Sequence, residues 1–150
     1  AVNVSPVSLD DDDFVNWLEK ILLDMKAAAV KLILEFSEYG VVKKLDKLKS
    51  LQQRLRSTGV QFSLDHFGRG FTSFAYLQSL ELQYMKIDGS YVFDLKADSE
   101  NSFYIRALTE IAHGLDIVVI AESIESQSVW KMLPDLRVDG GQGYYLAKPA

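Results

Sequence analysis

Six short apolar runs in this sequence each finish on a residue able to engage a metal or a phosphate. In chain order these residues are Asn3, Glu35, Asp65, Lys86 with Asp88, Glu122 and Gln142. Oxygen donors from Asn, Glu and Asp make a hard-cation site of the kind that holds Mg²⁺ or Mn²⁺. A lysine beside them offsets charge on a phosphate or on a metal-bound water. Any one of these groups, taken singly, is equally well explained as a strand end meeting solvent; the set of six carries the argument. The stretch Asp65-His66-Phe67-Gly68-Arg69-Gly70-Phe71-Thr72-Ser73 is a glycine-punctuated loop between a strand and a helix, a common kind of turn and a weak signal alone. Glu35 with Glu38, Ala121-Glu122-Ser123-Ile124-Glu125 and Gly141-Gln142-Gly143-Tyr144 are no more specific individually.

The elements that must position these groups are legible in the hydrophobic pattern. Val30–Phe36 is apolar almost throughout, as a strand covered on both faces should be. Val41, Val42, Leu45, Leu48, Leu51 and Leu55 follow at helical spacing, and Gly59 stops that helix. Further strands are expected at Val2–Val4, Val60–Asp65, Tyr84–Asp88, Ile117–Glu122 and near Val138–Tyr144. Asp10–Asp13 supply carboxylates to the start of a helix through Phe14, Leu18, Ile21, Leu22 and Met25, favourable with its dipole. Other helices are expected over Phe71–Leu80, around Tyr104, Leu108 and Ile111 up to Gly114, and over Ser126–Leu133. His113 reads as a helix C-terminal residue meeting the dipole, not as a ligand. Six strands alternating with helices predict an α/β fold with a parallel sheet and right-handed crossovers. Two closures satisfy that pattern: an open doubly wound sheet, or part of an eight-stranded barrel with two strands lacking. In a barrel, the C-terminal strand ends converge on the rim where such folds build their sites.

Composition narrows the function classes. The chain has 150 residues, enough for one domain with a sizeable core. Sixteen basic against 21 acidic residues give a formal net charge of -5, which argues against a DNA or RNA coat but leaves room for a small anionic ligand. The absence of cysteine excludes disulfides, zinc–thiolate sites and cysteine nucleophiles. No apolar run approaches the length of a membrane span, and the first residues lack the pattern of a signal peptide.

Taken in order, these segments resemble the EAL-domain family of bacterial proteins that hydrolyse or sense cyclic di-GMP. Val2-Asn3-Val4-Ser5 is similar to the family's asparagine strand and Leu34-Glu35-Phe36-Ser37-Glu38 to its ExxE strand. Leu64 to Ser73 resembles the DDFGTGYSS segment and Lys86-Ile87-Asp88 the KID strand. Ala121-Glu122-Ser123-Ile124-Glu125 resembles AEGVE, and Gln142-Gly143-Tyr144 the terminal QGY. The resemblance covers nearly the whole chain.

It implies a (β/α)₈ TIM-type barrel of which residues 1–150 form strands 3 to 8, the C-terminal three-quarters, with the first two strands missing. It implies Mg²⁺ or Mn²⁺ at the rim, with Asn3, Glu35, Asp65 and Glu122 as ligands and Asp88 near a second ion. Lys86 would position the attacking water, Gln142 would hold the hydrogen-bond network, and Glu38 would brace the loop after Asp65. Tyr144, Tyr145 and Pro149 fall where the family's base-binding rim lies. The reaction implied is attack of a metal-activated hydroxide on one phosphodiester, giving linear pGpG.

Two departures qualify the transfer. The Glu-Ala-Leu strand has no counterpart here, and His66 stands where the family's paired motif has its second aspartate. A neutral imidazole can bind Mn²⁺ but suits Mg²⁺ poorly and brings no negative charge. The His66-to-Gly70 version of the loop, with Ser123, is most similar to the degenerate domains of membrane-anchored LapD-type receptors. The leading expectation is therefore a cyclic di-GMP receptor with little or no hydrolysis, in the cytoplasmic part of a GGDEF-associated, membrane-anchored signalling protein. An active phosphodiesterase in the full-length protein is the enzyme alternative, and a purely protein-binding barrel is a third. Unpaired strand edges would be covered by self-association; a protein partner in signalling is expected, and no DNA partner.

Overall fold

The computed structural model describes residues 1–27, 30–70 and 74–148. Among them six strands are formed: β1 (Val2–Asn3), β2 (Ile33–Ser37), β3 (Gln61–Phe67), β4 (Tyr84–Ile87), β5 (Val118–Ala121) and β6 (Gly140–Gly141). They follow chain order in one sheet. β1 with β2, β4 with β5 and β5 with β6 pair parallel. Helices α1 (Asp12–Ala27), α2 (Glu38–Lys43), α3 (Leu45–Leu55), α4 (Gly89–Val92), α5 (Glu100–His113) and α6 (Gln127–Met132) alternate with them. This is the expected α/β alternation. None of the described helices is long and apolar enough to cross a membrane.

The chain divides into two compact units. The first comprises residues 1–64 and 70–82. Its core is built from Leu34 and Phe36 of β2, Phe62 and Leu64 of β3, and Val41, Leu48 and Leu55 of α2 and α3, all buried. Phe36 and Phe62 stack at 6.3 Å between centroids, the offset geometry that aromatic pairs prefer. Asp12 and Asp13 open α1, and Arg54 of α3 ties to it through Glu19 at 2.6 Å. The helix expected as one piece from Val41 is two, because Lys44 leaves helical geometry at φ −127°, ψ 35°. Gly59 ends the following turn in the left-handed region (φ 76°), as expected. The helix expected over Phe71–Leu80 is a 3-10 turn at Ala75–Ser79, and Phe71, Thr72 and Ser73 lie outside the described residues.

The second unit comprises residues 65–69 and 83–150. Met85 and Ile87 of β4, Val119 and Ala121 of β5, and Ile105, Leu108 and Ala112 of α5 form its core, each at most 1% exposed. Tyr84 pairs with Val118 and Ile87 with Ala121, so Lys86 lies beside Ile120 in register. Ser99 caps α5, accepting from the Ser102 amide, and Ser126 caps α6 from the Val129 amide. His113 closes α5, as expected, and its Nε2 lies 2.8 Å from Asp139 Oδ2. β6 is only two residues long, much shorter than the Val138–Tyr144 run suggested. A Cβ on Gly141 would overlap Ile124 and Trp130, and one on Gly143 would overlap the Ile124 backbone. These contacts explain why glycine stands at 141 and 143.

Candidate functional site

The strand ends of the second unit deliver their side chains to one place. β3 continues past Asp65 to Phe67, so Asp65 is buried while His66 is exposed and in the left-handed region at φ 54°. That conformation costs about 1–2 kcal/mol for a non-glycine residue. Asp65 Oδ1 compensates in part by accepting the His66 amide at 2.9 Å. Lys86, only 5% exposed, extends from β4 with its Nζ 2.8 Å from Glu122 Oε1 and 3.5 Å from Asp65 Oδ1. Burial pushes the Glu122 carboxyl above its ordinary value; the Lys86 ammonium opposes the rise and Asp65 adds to it.

Asp88 follows β4 and caps the short α4, its Oδ1 accepting the Ser90 amide at 2.9 Å. Its other oxygen, Oδ2, lies 2.9 Å from His66 Nδ1 and 3.7 Å from Arg69 Nη1. Burial alone would raise this carboxyl, but the hydrogen bonds from Ser90 and His66 and the Arg69 charge hold it below its ordinary value.

A cleft of about 590 Å³ opens over these groups, lined by His66, Arg69, Asp88, Glu122, Gln142 and Tyr144, with Ser123 and the Gly89 turn completing its wall. Gln142 is brought there by main chain, its amide bonding Ala121 O at 2.8 Å and its carbonyl accepting from Ile124 N at 3.1 Å. Tyr144 is 65% exposed and Tyr145 40% exposed. Ser123 takes the left-handed region at φ 58°.

In the first unit, Asn3 and Glu35 are register partners across β1 and β2. Glu38 opens α2, is 2% exposed, and accepts a 2.6 Å hydrogen bond from the Tyr76 hydroxyl. Burial and this carboxylate push the Tyr76 hydroxyl far above its ordinary pKa. Pro149 lies outside the described residues. The structure thus gathers Asp65, His66, Lys86, Asp88, Glu122, Gln142 and Tyr144 within the second unit. Arg69 is a cleft residue that sequence reasoning did not single out; its signal was a basic side chain between two glycines directly after a strand.

A divalent ion is a reasonable guest for part of this set. Ligand atoms of Asp65, His66 and Glu122 all lie within 4.8 Å of one another. Ligands sharing one small ion lie up to about 4.2 Å apart, twice a ~2.1 Å bond, so the set would need to close by roughly half an ångström. Two carboxylates and an imidazole favour Mn²⁺ over Mg²⁺, and Lys86 already neutralises part of the charge that an ion would meet.

The EAL domain model matches residues 1–149. The cyclic di-GMP phosphodiesterase PdeA of Borreliella burgdorferi is 31% identical over 99% of this chain, which covers 22% of that protein. The chain thus spans about a fifth of the length of the curated relatives it matches. Among solved structures, the FimX EAL domain of Pseudomonas aeruginosa bound to cyclic di-GMP aligns with a TM-score of 0.87 at 32% identity, over 99% of this chain and 61% of that one. The manganese and cyclic di-GMP complex of Klebsiella pneumoniae BlrP1 aligns at 0.82 with 26% identity, over 95% and 37%. An unbroken match across residues 1–149, on a fold shared with these domains, means that the chain belongs to the EAL domain family.

Proposed function

We propose that this chain binds cyclic di-GMP and hydrolyses it little or not at all, serving as a receptor. The observation that carries the reading is the engagement of Asp88. Its Oδ2 already faces the His66 imidazole at 2.9 Å and the Arg69 guanidinium at 3.7 Å. Protein groups thus satisfy a carboxylate that, by family resemblance, would sit beside a second metal. Cyclic di-GMP is named as bound in the FimX and BlrP1 structures, which supports the ligand.

In this reading Asp65, His66 and Glu122 would hold one ion and the resemblance extends that set to Asn3 and Glu35, while Asp88, which the resemblance puts near a second ion, would stay engaged by His66 and Arg69. Bound there, Mn²⁺ or Mg²⁺ would supply positive charge to a phosphoryl oxygen. Lys86 would steady the Asp65 and Glu122 carboxylates and orient a water, Gln142 would hold the polar network, and Tyr144 and Pro149 would meet a base. Glu38 would brace the loop after Asp65. The domain would lie in the cytoplasmic part of a longer, membrane-anchored signalling protein, with self-association or a protein partner relaying the signal.

One observation favours an active phosphodiesterase instead: the Asp65, His66 and Glu122 cluster is compact enough to close on an ion, and the PdeA relative is named for that activity. Calorimetric titration of cyclic di-GMP, with Mn²⁺ and then with EDTA, separates the two when paired with an assay for pGpG. Binding that survives EDTA without pGpG is expected; metal-dependent turnover would overturn the receptor reading.

A further inference from the structure

Among the described residues of the cleft, Arg69 alone combines a fixed positive charge with high exposure, 65% for its side chain. It emerges from a backbone that is held in place. Gly68, at φ 98°, offers its carbonyl to two hydroxyls, Tyr91 at 2.7 Å and Tyr104 at 2.9 Å, whose rings lie 4.7 Å apart. A Cβ at Gly68 would come within 2.9 Å of Leu108 and 3.3 Å of Tyr104, so the loop is seated tightly on α5. The residue that follows is therefore presented from a rigid base, although its own side chain stands in solvent.

Its pairing with Asp88 is loose. At 3.7 Å the guanidinium and carboxylate attract one another without a hydrogen bond, and Asp88 spends its oxygens on Ser90 and His66. The fork of guanidinium donors thus keeps its capacity for a bidentate acceptor. A cation at this position works against a second metal ion and in favour of an anion. Among small anions, a phosphodiester presents two non-bridging oxygens in the planar spacing that a guanidinium matches. Tyr144, lining the same cleft and 65% exposed, offers an aromatic face for an attached base.

We infer that Arg69, aimed by the Tyr91–Tyr104 clamp on Gly68, is the phosphate-binding cation of this cleft and makes nucleotide binding independent of divalent metal. The inference rests on the proposed cyclic di-GMP reading and specifies how the ligand is held. Calorimetric titration of cyclic di-GMP in EDTA, into the unaltered chain and into the Arg69→Gln and Arg69→Lys variants, tests it. Melting of each variant checks the fold, which an exposed side chain should not disturb. Loss of at least tenfold in affinity in Arg69→Gln, with part of it recovered in Arg69→Lys, is expected. Equal affinity in all three, or binding by the unaltered chain only when Mn²⁺ is present, would overturn the role of Arg69 while leaving cyclic di-GMP as the ligand. No binding to the unaltered chain with or without Mn²⁺ would overturn the ligand assignment itself, and the inference with it.

Discussion

Lys86 Nζ lies 2.8 Å from Glu122 Oε1, an ion pair between β4 and the residue that follows β5, almost closed to solvent on the lysine side. Removing one member of such a pair strands the other charge, which is far worse than never having built it. Lys86→Met should therefore lower stability by about 3 kcal/mol near neutral pH, as Glu122 and Asp65 face each other without the ammonium. Urea denaturation of the variant checks this; a loss below about 1 kcal/mol would mean that water reaches the pair.

His66 occupies a left-handed backbone position and carries no negative charge when neutral. Aspartate adopts that conformation more readily than most residues and adds a hard ligand beside Asp65. His66→Asp should raise Mg²⁺ affinity by roughly tenfold or more, with a smaller gain for Mn²⁺. Titration calorimetry with each ion gives the ratio, and unchanged Mg²⁺ binding would count against a metal role for this position.

The two hydroxyls on Gly68 O are partly redundant. Tyr91→Phe and Tyr104→Phe should each cost about 0.5 kcal/mol, since the remaining hydroxyl still satisfies the carbonyl. Removing both should cost about 2 kcal/mol, more than the sum. A double-mutant cycle by chemical denaturation measures the coupling, and simple additivity would show that the hydroxyls act separately.

Ser123 holds φ 58° where the family's AEGVE motif has glycine. Relief of left-handed strain, roughly 1–2 kcal/mol, exceeds the entropy that glycine adds to the unfolded chain, about 0.5–1 kcal/mol. Ser123→Gly should then stabilise the protein by about 0.5 kcal/mol. A melting temperature that falls instead would show that the serine side chain, packed close to Gly89, contributes more than the strain removes.

Asp139 gives the fold a dependence on acid. Burial would raise its carboxyl, but the Val119 amide at 2.7 Å and His113 at 2.8 Å together hold it below its ordinary value. A carboxyl lowered on folding stabilises the folded state above its unfolded pKa, and that stabilisation fades as pH falls through the lowered value. Its side chain is 38% exposed, so solvent screening keeps the effect below about 1 kcal/mol. Melting from pH 6 down to pH 3 should fall less steeply in Asp139→Asn than in the unaltered chain; parallel curves would remove Asp139 from the account.

The alternation of strand and helix was legible because both periods were strong: apolar runs such as Ile33–Phe36 and the Leu48, Leu51, Leu55 stripe leave little choice of element. Boundaries were less legible. β3 runs two residues beyond Asp65, since Phe67 is buried and His66 is its outward-facing neighbour. The break at Lys44 leaves the apolar spacing from Val41 to Leu55 almost intact, so sequence spacing does not betray it. β6 spans only two glycines, and the demand for glycine at 141 comes from packing against Ile124 and Trp130, which no local pattern carries. In the second unit, the meeting of Asp65, Lys86 and Glu122 could be read from their places at strand ends. Arg69 could not, because its place beside Asp88 depends on the left-handed turn at Gly68 and on two tyrosines 23 and 36 residues further on.

Asp88 uses one oxygen to start a helix and the other to face the cleft. A carboxylate with both duties stays under selection for folding even after the chemistry beside it has lapsed. Retained aspartates at this position are therefore a poor gauge of whether a domain of this kind still cuts its ligand. His66 and Arg69, whose side chains stand largely in solvent beside Asp88, carry less of that folding duty and are the more telling positions to compare.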